Sequence, residues 1–331
     1  MHPDLRRNTR WHAPVMGFVE LLLASSLVAA AGANEHPAWA YPVNPPGLTA
    51  KADDGRTLHV PDSGVGFTRS QITAIGGAVP DWHPNEHPPM PSIVAQSREP
   101  KVYACGYCHL PTGAGRPENA SLAGLTAPYI KQQMEAFRKG DRPGSSPDRM
   151  PQTVMIAIAQ SVTEAEIDAA AAYFASLKPQ SFVRVVESAT VPKTHVAGWT
   201  LTRSLEGGSE PIGLRIVEIP EDFERFELRD SRTPYEAFVP PGSLARGAHL
   251  VTTGGAGKTL QCLTCHGPEL KGLVDVPRLV GRSPSYLLRQ LYDLKHGARK
   301  GGTTELMKPV VAQLELEDMV DIAAYLASIQ P

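Results

Sequence analysis

The chain has 331 residues, room for about two domains of ordinary size, and 42% of them are hydrophobic, which excludes a chain disordered throughout. Thirty-two Lys and Arg face 34 Asp and Glu, so the basic excess that a nucleic-acid partner demands is missing. The four cysteines, Cys105, Cys108, Cys262 and Cys265, form two pairs of equal spacing, each followed by histidine, and none is left for a disulfide framework.

In chain order, the first predicted element is an export signal. Arg6, Arg7 and Arg10 precede an apolar run over 15–31 that Glu20 interrupts. Its uninterrupted part, 21–31, is too short to span a bilayer. Ala31-Gly32-Ala33 or Ala38-Trp39-Ala40 supplies an Ala-x-Ala cleavage site. Residues 1–33 are therefore predicted to be a signal peptide and the mature protein periplasmic, with a retained membrane anchor as the alternative. Residues 34–97 read as a Pro/Gly-rich extension; the stretch from His83 to Pro91 has neither helical nor strand periodicity. His83, His87 and Met90 offer soft-metal ligands there, against the plainer reading of a proline-rich loop.

Beyond the extension the chain repeats itself. A shift of 157 lays Cys105 on Cys262 and matches Leu122 with Leu279, Gly124 with Gly281, Tyr129 with Tyr286, Gln133 with Gln290 and Arg142 with Arg299. After a five-residue difference in loop length, a shift of 152 matches Met155 with Met307 and the run 171–177 with 323–329. The two units occupy 98–179 and 244–331. Each is predicted to be helical, with one helix over about 129–139 and a closing helix marked by Ile167, Ala170, Ala171, Phe174 and Leu177. Thr163 and Glu166 make a capping box before that closing helix; Glu315 stands at the matching place of the second. Between the units, 180–243 reads as a small β-rich insertion, with strand-like runs at 182–186, 196–202, 214–219 and 235–239.

Cys105-Gly106-Tyr107-Cys108-His109 and Cys262-Leu263-Thr264-Cys265-His266 both fit Cys-x-x-Cys-His, the attachment pattern of c-type haem. Two thiols three residues apart on a helical turn can each form a thioether with one vinyl group of a porphyrin, and the next histidine then reaches the iron. A zinc ribbon needs its pairs some fifteen to twenty residues apart and gives histidine no part after both. Thioredoxin-like chemistry needs a βαβ neighbourhood that is missing. Two covalently attached haem c groups are thus predicted, with His109 and His266 as iron ligands. Arg142 and Arg299 are candidates for pairing with haem propionates, and Tyr129, Tyr286, Tyr173 and Tyr325 for lining the pockets; a solvated or core role is the alternative for each. Gly254-Gly255-Ala256-Gly257-Lys258-Thr259 imitates a phosphate loop but lacks its first glycine and a preceding strand.

On these motifs the two units resemble class I c-type cytochromes, and their tandem order is similar to that of the dihaem c-four type. The resemblance implies a mainly α chain: two class I cytochrome c domains in tandem, with the Pro-rich extension and the β-rich insertion added. It also implies a methionine as sixth iron ligand just before each closing helix. Counting back as the family does from Val162 and Leu314 gives Met155 and Met307; Met150 competes with Met155. The family's proline, whose carbonyl receives the ligand histidine's second ring proton, matches Pro277, but the first unit has Ala120 there. Leu110 also stands where the second unit has Gly267. The first pocket is therefore expected to differ in hydrogen bonding.

With both axial positions filled, no substrate chemistry at the iron and no catalytic side chain are expected. The implied function is transfer of electrons between a periplasmic donor and a terminal acceptor, the partners being a dehydrogenase, an oxidase or another cytochrome. Membrane association is expected only through an uncleaved N-terminal segment or a partner. The alternatives carried beside this carrier are a dihaem peroxidase-like enzyme and the cytochrome subunit of a periplasmic dehydrogenase complex.

Overall fold

The sequence repeat reappears as matched helices in the computed structural model, which describes residues 36–49, 51–98, 100 and 102–331. The expected signal peptide lies outside the described residues. In the first unit, α1 (Cys105–His109) carries the motif, followed by α2 (Ala127–Arg138), α3 (Met150–Ser161) and α4 (Glu164–Ser176). Thr126 starts α2 by accepting from the Tyr129 amide, with Pro128 in the first turn where no amide proton is needed. Thr163 and Glu166 form the expected reciprocal cap on α4. The inward face of α4, with Ile167, Ala171 and Phe174, meets Leu125 and Ile130. Ile93 and Val94, from the end of the extension, complete this core. Burying each such side chain is worth about 1.5–3 kcal/mol.

The insertion builds a three-stranded sheet from β1 (Val183–Glu187), β2 (Val217–Pro220) and β3 (Tyr235–Val239), with the short helix α5 (Phe223–Glu227) between the last two strands. β3 is central, parallel to β1 in the register Val183 to Tyr235 and antiparallel to β2 in the register Val217 to Phe238. The run expected as one strand over 196–202 is instead a hairpin, Thr194–Ala197 against Thr200–Arg203. Its two-residue turn is Gly198-Trp199, at φ +63° and +65°. A turn with both central residues left-handed matches the twist of the flanking strands, which is why the chain reverses there.

The second unit opens with α6 (Ser243–Thr253), then α7 (Leu263–His266), α8 (Pro284–Lys295), the single turn α9 (Lys308–Val311) and α10 (Leu316–Ser328). The bounds of α8 and α10 are those of α2 and α4 shifted by 157 and 152 residues. At α10 the Glu315 amide donates to Asp318 at 2.7 Å, so Asp318 repeats the part that Glu166 plays for the Thr163 amide at α4. α6 crosses α10 closely: a Cβ on Gly247 would lie 2.0 Å from the Asp321 carbonyl oxygen. Arg246 clasps the Asp321 carboxylate beside that crossing at 2.7 and 2.9 Å.

The extension is ordered by its anchors rather than by its own periodicity. Tyr41 is buried in the second unit's core, and its hydroxyl donates to Asp293 at 2.7 Å. Trp82 donates to the Leu228 carbonyl of the insertion at 2.7 Å, and Met90 packs on the first unit's core. His83 bonds Asp230 at 2.9 Å, whereas His87 bonds Asp81 at 3.1 Å. His83, His87 and Met90 are thus spent on three different partners, and among the described residues no group of three acids, histidines and cysteines is set to hold a metal.

Candidate functional site

The first motif occupies a single turn of helix, which brings Cys105, Cys108 and His109 to one cavity of about 630 Å³. Burial pushes the Cys105 thiol up to about 12 and Cys262 up to about 11, so both remain neutral thiols, the form that adds across a vinyl group. Burial likewise lowers the pKa of His109 and His266 and keeps the imidazoles neutral. Their Nδ1 atoms lie 2.8 Å from the Ala120 carbonyl oxygen and 2.7 Å from that of Pro277. Each ring is thereby fixed with Nε2 left for a metal. The expected difference in this hydrogen bond is corrected: Ala120 replaces the proline, yet the acceptor is a backbone carbonyl and any residue supplies one.

The real difference is one residue past the motif. Gly267 takes φ +83° and ψ 160°, a region nearly reserved for glycine, and Leu110 is held there too, at φ +64° and ψ 153°. The Leu110 side chain is buried, and that burial offsets the strain.

Met155 lies within α3 and lines the first cavity, and so does the competing Met150 at the start of the same helix. Met150 is 48% exposed, so Met155 is the better shielded donor. In the second unit Met307 ends a 3₁₀ turn just before α9 and packs, half-buried, against the core. Cys262 is partly buried, His266 is buried, and Cys265 is exposed.

Arg142 and Arg299 meet across the seam between the units. Arg142 donates to Gln133 at 2.9 Å and Gln290 at 2.8 Å; Arg299 donates to Gln290 and to Gln133, both at 3.0 Å. Arg299 also reaches the Tyr129 hydroxyl at 3.1 Å. All these acceptors are neutral. Burial and the neighbouring Arg299 push Arg142 down. Tyr286 is raised by burial, but Arg282, Arg142 and Arg299 outweigh that and bring it down to about 8. The Nε atoms of Arg282 and Arg299 are buried without a hydrogen-bond partner, and both side chains line the first cavity. Buried cations without acids are costly unless anions join them, and the paired carboxylates of a haem are such anions. Two thiols, a fixed imidazole, a thioether sulfur and this cationic wall together fit a covalently held haem.

Tyr129 and Tyr286, one from each unit, both line the first cavity, whereas Tyr173 is turned away and donates to the Pro111 carbonyl at 2.7 Å, and Tyr325 packs on the second core. The sequence reading missed Arg282 and the hairpin tip. Trp199, at that tip, also lines the first cavity and takes its amide acceptor from Asn44 of the extension at 2.8 Å. His195 lines the same cavity, exposed; His249 and His296 are exposed elsewhere.

The family model described as Cytochrome c matches residues 100–178. Cytochrome c-554(548) of Halomonas halodenitrificans is 41% identical over 75 residues, 22% of this chain and 90% of that protein. Cytochrome c4 of Azotobacter vinelandii is 26% identical over 238 residues, spanning 70% of this chain and 87% of the relative. The thiosulfate dehydrogenase electron acceptor of Stutzerimonas stutzeri is 24% identical over 233 residues, 70% of this chain and 81% of that one.

Proposed function

This chain belongs to the c-type cytochromes, as a dihaem class I member that transfers electrons and carries two haem c groups, and on that premise we propose how its residues divide the task. Residues 98–179 and 244–331 are the two haem domains, 34–97 an extension and 180–243 an insertion. Cys105 and Cys108 hold the first haem, with His109 and Met155 as its iron ligands. Cys262 and Cys265 hold the second, with His266 and Met307. Arg142 and Arg299 receive propionates at the seam. The observation that carries this reading is the matched pair of histidines, each tied at Nδ1 to a backbone carbonyl next to its own cysteine pair.

Held by His109 and Met155, or by His266 and Met307, a bound haem would supply one-electron exchange at a comparatively high potential. The polypeptide supplies what surrounds that event. The carbonyls of Ala120 and Pro277 hold the imidazoles in one tautomer and strengthen them as donors. α3 and α4 line the first cavity with Met155, Ile158, Ile167 and Phe174, and α8 and α10 pack the second core. The guanidiniums of Arg142 and Arg299 place fixed positive charge at the seam, where it favours the reduced state.

The donor we propose is an exported dehydrogenase, in keeping with the relative named as an electron acceptor of thiosulfate dehydrogenase; an oxidase or a further cytochrome then accepts. No helix among the described residues is long and apolar enough to cross a membrane. Export by the 1–33 signal fits cleavage after Ala33 better than after Ala40, because the Ala40 carbonyl accepts from Arg289 at 3.1 Å and Ala40 is buried in the second core. The ferric absorption spectrum tests the function. A near-red band of the strength expected for two Met-ligated irons, with no peroxide turnover, supports the carrier; absence of the band with rapid peroxide reduction replaces it with the peroxidase-like enzyme.

A further inference from the structure

Three buried arginines of the second unit, Arg278, Arg282 and Arg289, have no arginine at the matching place of the first. Arg278 and Arg282 are each 3% exposed, and their places in the first unit are taken by Ser121 and Leu125. Neither points into its own unit's core. Arg278 reaches back across the seam to the Ser121 hydroxyl at 3.3 Å and to the Ala123 carbonyl at 3.4 Å. Arg282 donates to the Ser121 carbonyl at 3.0 Å. Its other arm donates to the Arg278 backbone carbonyl at 3.3 Å, so Arg282 also holds the main chain that carries Arg278. Arg278 is also held by the Val280 carbonyl of its own loop.

The clasped segment is the one that matters to the first site. Ser121 directly follows Ala120, whose carbonyl fixes the His109 ring. Arg278 directly follows Pro277, whose carbonyl fixes His266. One hydrogen-bonded span therefore runs from His109 through Ala120 and Ser121 to Arg278, Pro277 and His266. A charge-assisted bond of this kind is stronger than a neutral one, and the planar guanidinium fork sets direction as well as distance.

We propose that Arg278 and Arg282 are positioning residues for the first haem site, supplied by the second unit: they fix the loop that orients His109 and thereby set that centre's potential. The inference rests on the ligation given above. Loosening the loop weakens the His109 to Ala120 bond, makes the imidazole a poorer donor and leaves the oxidised iron less stabilised, so the midpoint rises. Ordinary scaffolding alone would alter stability without selecting one centre.

The test is a redox titration of the full chain with both haems attached, comparing the native protein with Arg278→Lys/Arg282→Lys. Both charges remain, but neither lysine reproduces the fork. The first centre is identified as the one whose midpoint Met155→His lowers. That midpoint is expected to rise by at least tenfold in the oxidised-to-reduced ratio, about 59 mV for one electron. Arg282→Lys alone shifts it the same way by a smaller amount and decides the matter if the double variant is recovered without haem. A first midpoint that stays in place in a protein carrying two haems overturns the proposal, whatever the second does. A haem count other than two in the native protein overturns the ligation reading instead.

Discussion

Replacing Leu110 by glycine pits two opposing effects of similar size against each other at the residue after the first motif. The native backbone there sits at φ +64° and ψ 153°, a conformation costing about 1–3 kcal/mol for a side-chain-bearing residue and little for glycine. Against that relief stands the loss of a side chain only 3% exposed. Removing a buried leucine side chain costs about 2–5 kcal/mol, and glycine adds about 0.5–1 kcal/mol of unfolded-state freedom. Burial wins, and Leu110→Gly should destabilise the haem-loaded protein by about 1–3 kcal/mol. The second unit provides the control. Gly267→Ala gains no comparable burial, takes on the strain, and brings its Cβ to 3.1 Å from the Gly272 carbonyl oxygen, so about 1–3 kcal/mol is lost there too. Urea unfolding followed by Soret absorbance measures both. A Leu110→Gly protein more stable than native would show that strain outweighs burial at this corner and would refute the argument.

The ligand assignment predicts that Met155→His and Met307→His each lower a different midpoint in a redox titration, because imidazole is a stronger donor than thioether. Met150→Leu should leave both midpoints and the near-red band unchanged; loss of half the band in that variant would transfer the first ligand from Met155 to Met150. Alanine at Cys262 and Cys265 together should reduce the intact mass by one haem beyond the side-chain change, leaving the haem on Cys105 and Cys108. The mature N-terminus should be Asn34, read by mass spectrometry, and a chain beginning at Tyr41 would contradict the role given to the Ala40 carbonyl. Glu166 is held down to about 2, first by Arg98 and then by its bonds to Thr163. Its folded value is below its ordinary one, so the stability it contributes is full above about 4.5 and is lost as the pH falls toward about 2. Glu166→Gln should therefore flatten the acid limb of a stability-against-pH curve within that window.

Those parts of the fold written as spacing within one segment were legible in the sequence. Ile167, Ala171 and Phe174 recur at the helical period and do line one face of α4; the Cys-x-x-Cys-His pairs and the 157-residue shift needed only counting. What depends on backbone shape or on distant partners was hidden. The carbonyl that holds His109 looked altered because a proline had become Ala120, although a carbonyl acceptor does not depend on the side chain. The 196–202 run looked continuous because its β-branched residues continue past Gly198, whereas the left-handed turn at Gly198-Trp199 splits it. The helix α6 was legible in principle, since Leu244, Gly247, Leu250 and Val251 share a face. The anchoring of Tyr41 on Asp293, 252 residues away, leaves no mark in local sequence.

The ring formed by Gln133, Arg142, Gln290 and Arg299 is unchanged when the two units trade places. Exchange the two units and each of its four bonds becomes another bond of the same set: Arg142 to Gln133 becomes Arg299 to Gln290, and Arg142 to Gln290 becomes Arg299 to Gln133. Such a ring closes equally well between two identical copies of a single unit, as a twofold interface does. The clasp of Arg278 on Ser121 does not survive the exchange, because its ends are unlike residues at equivalent places. One seam thus combines a contact available to a symmetric pair with a contact that requires the two halves to have diverged, and the second fixes which half stands on which side.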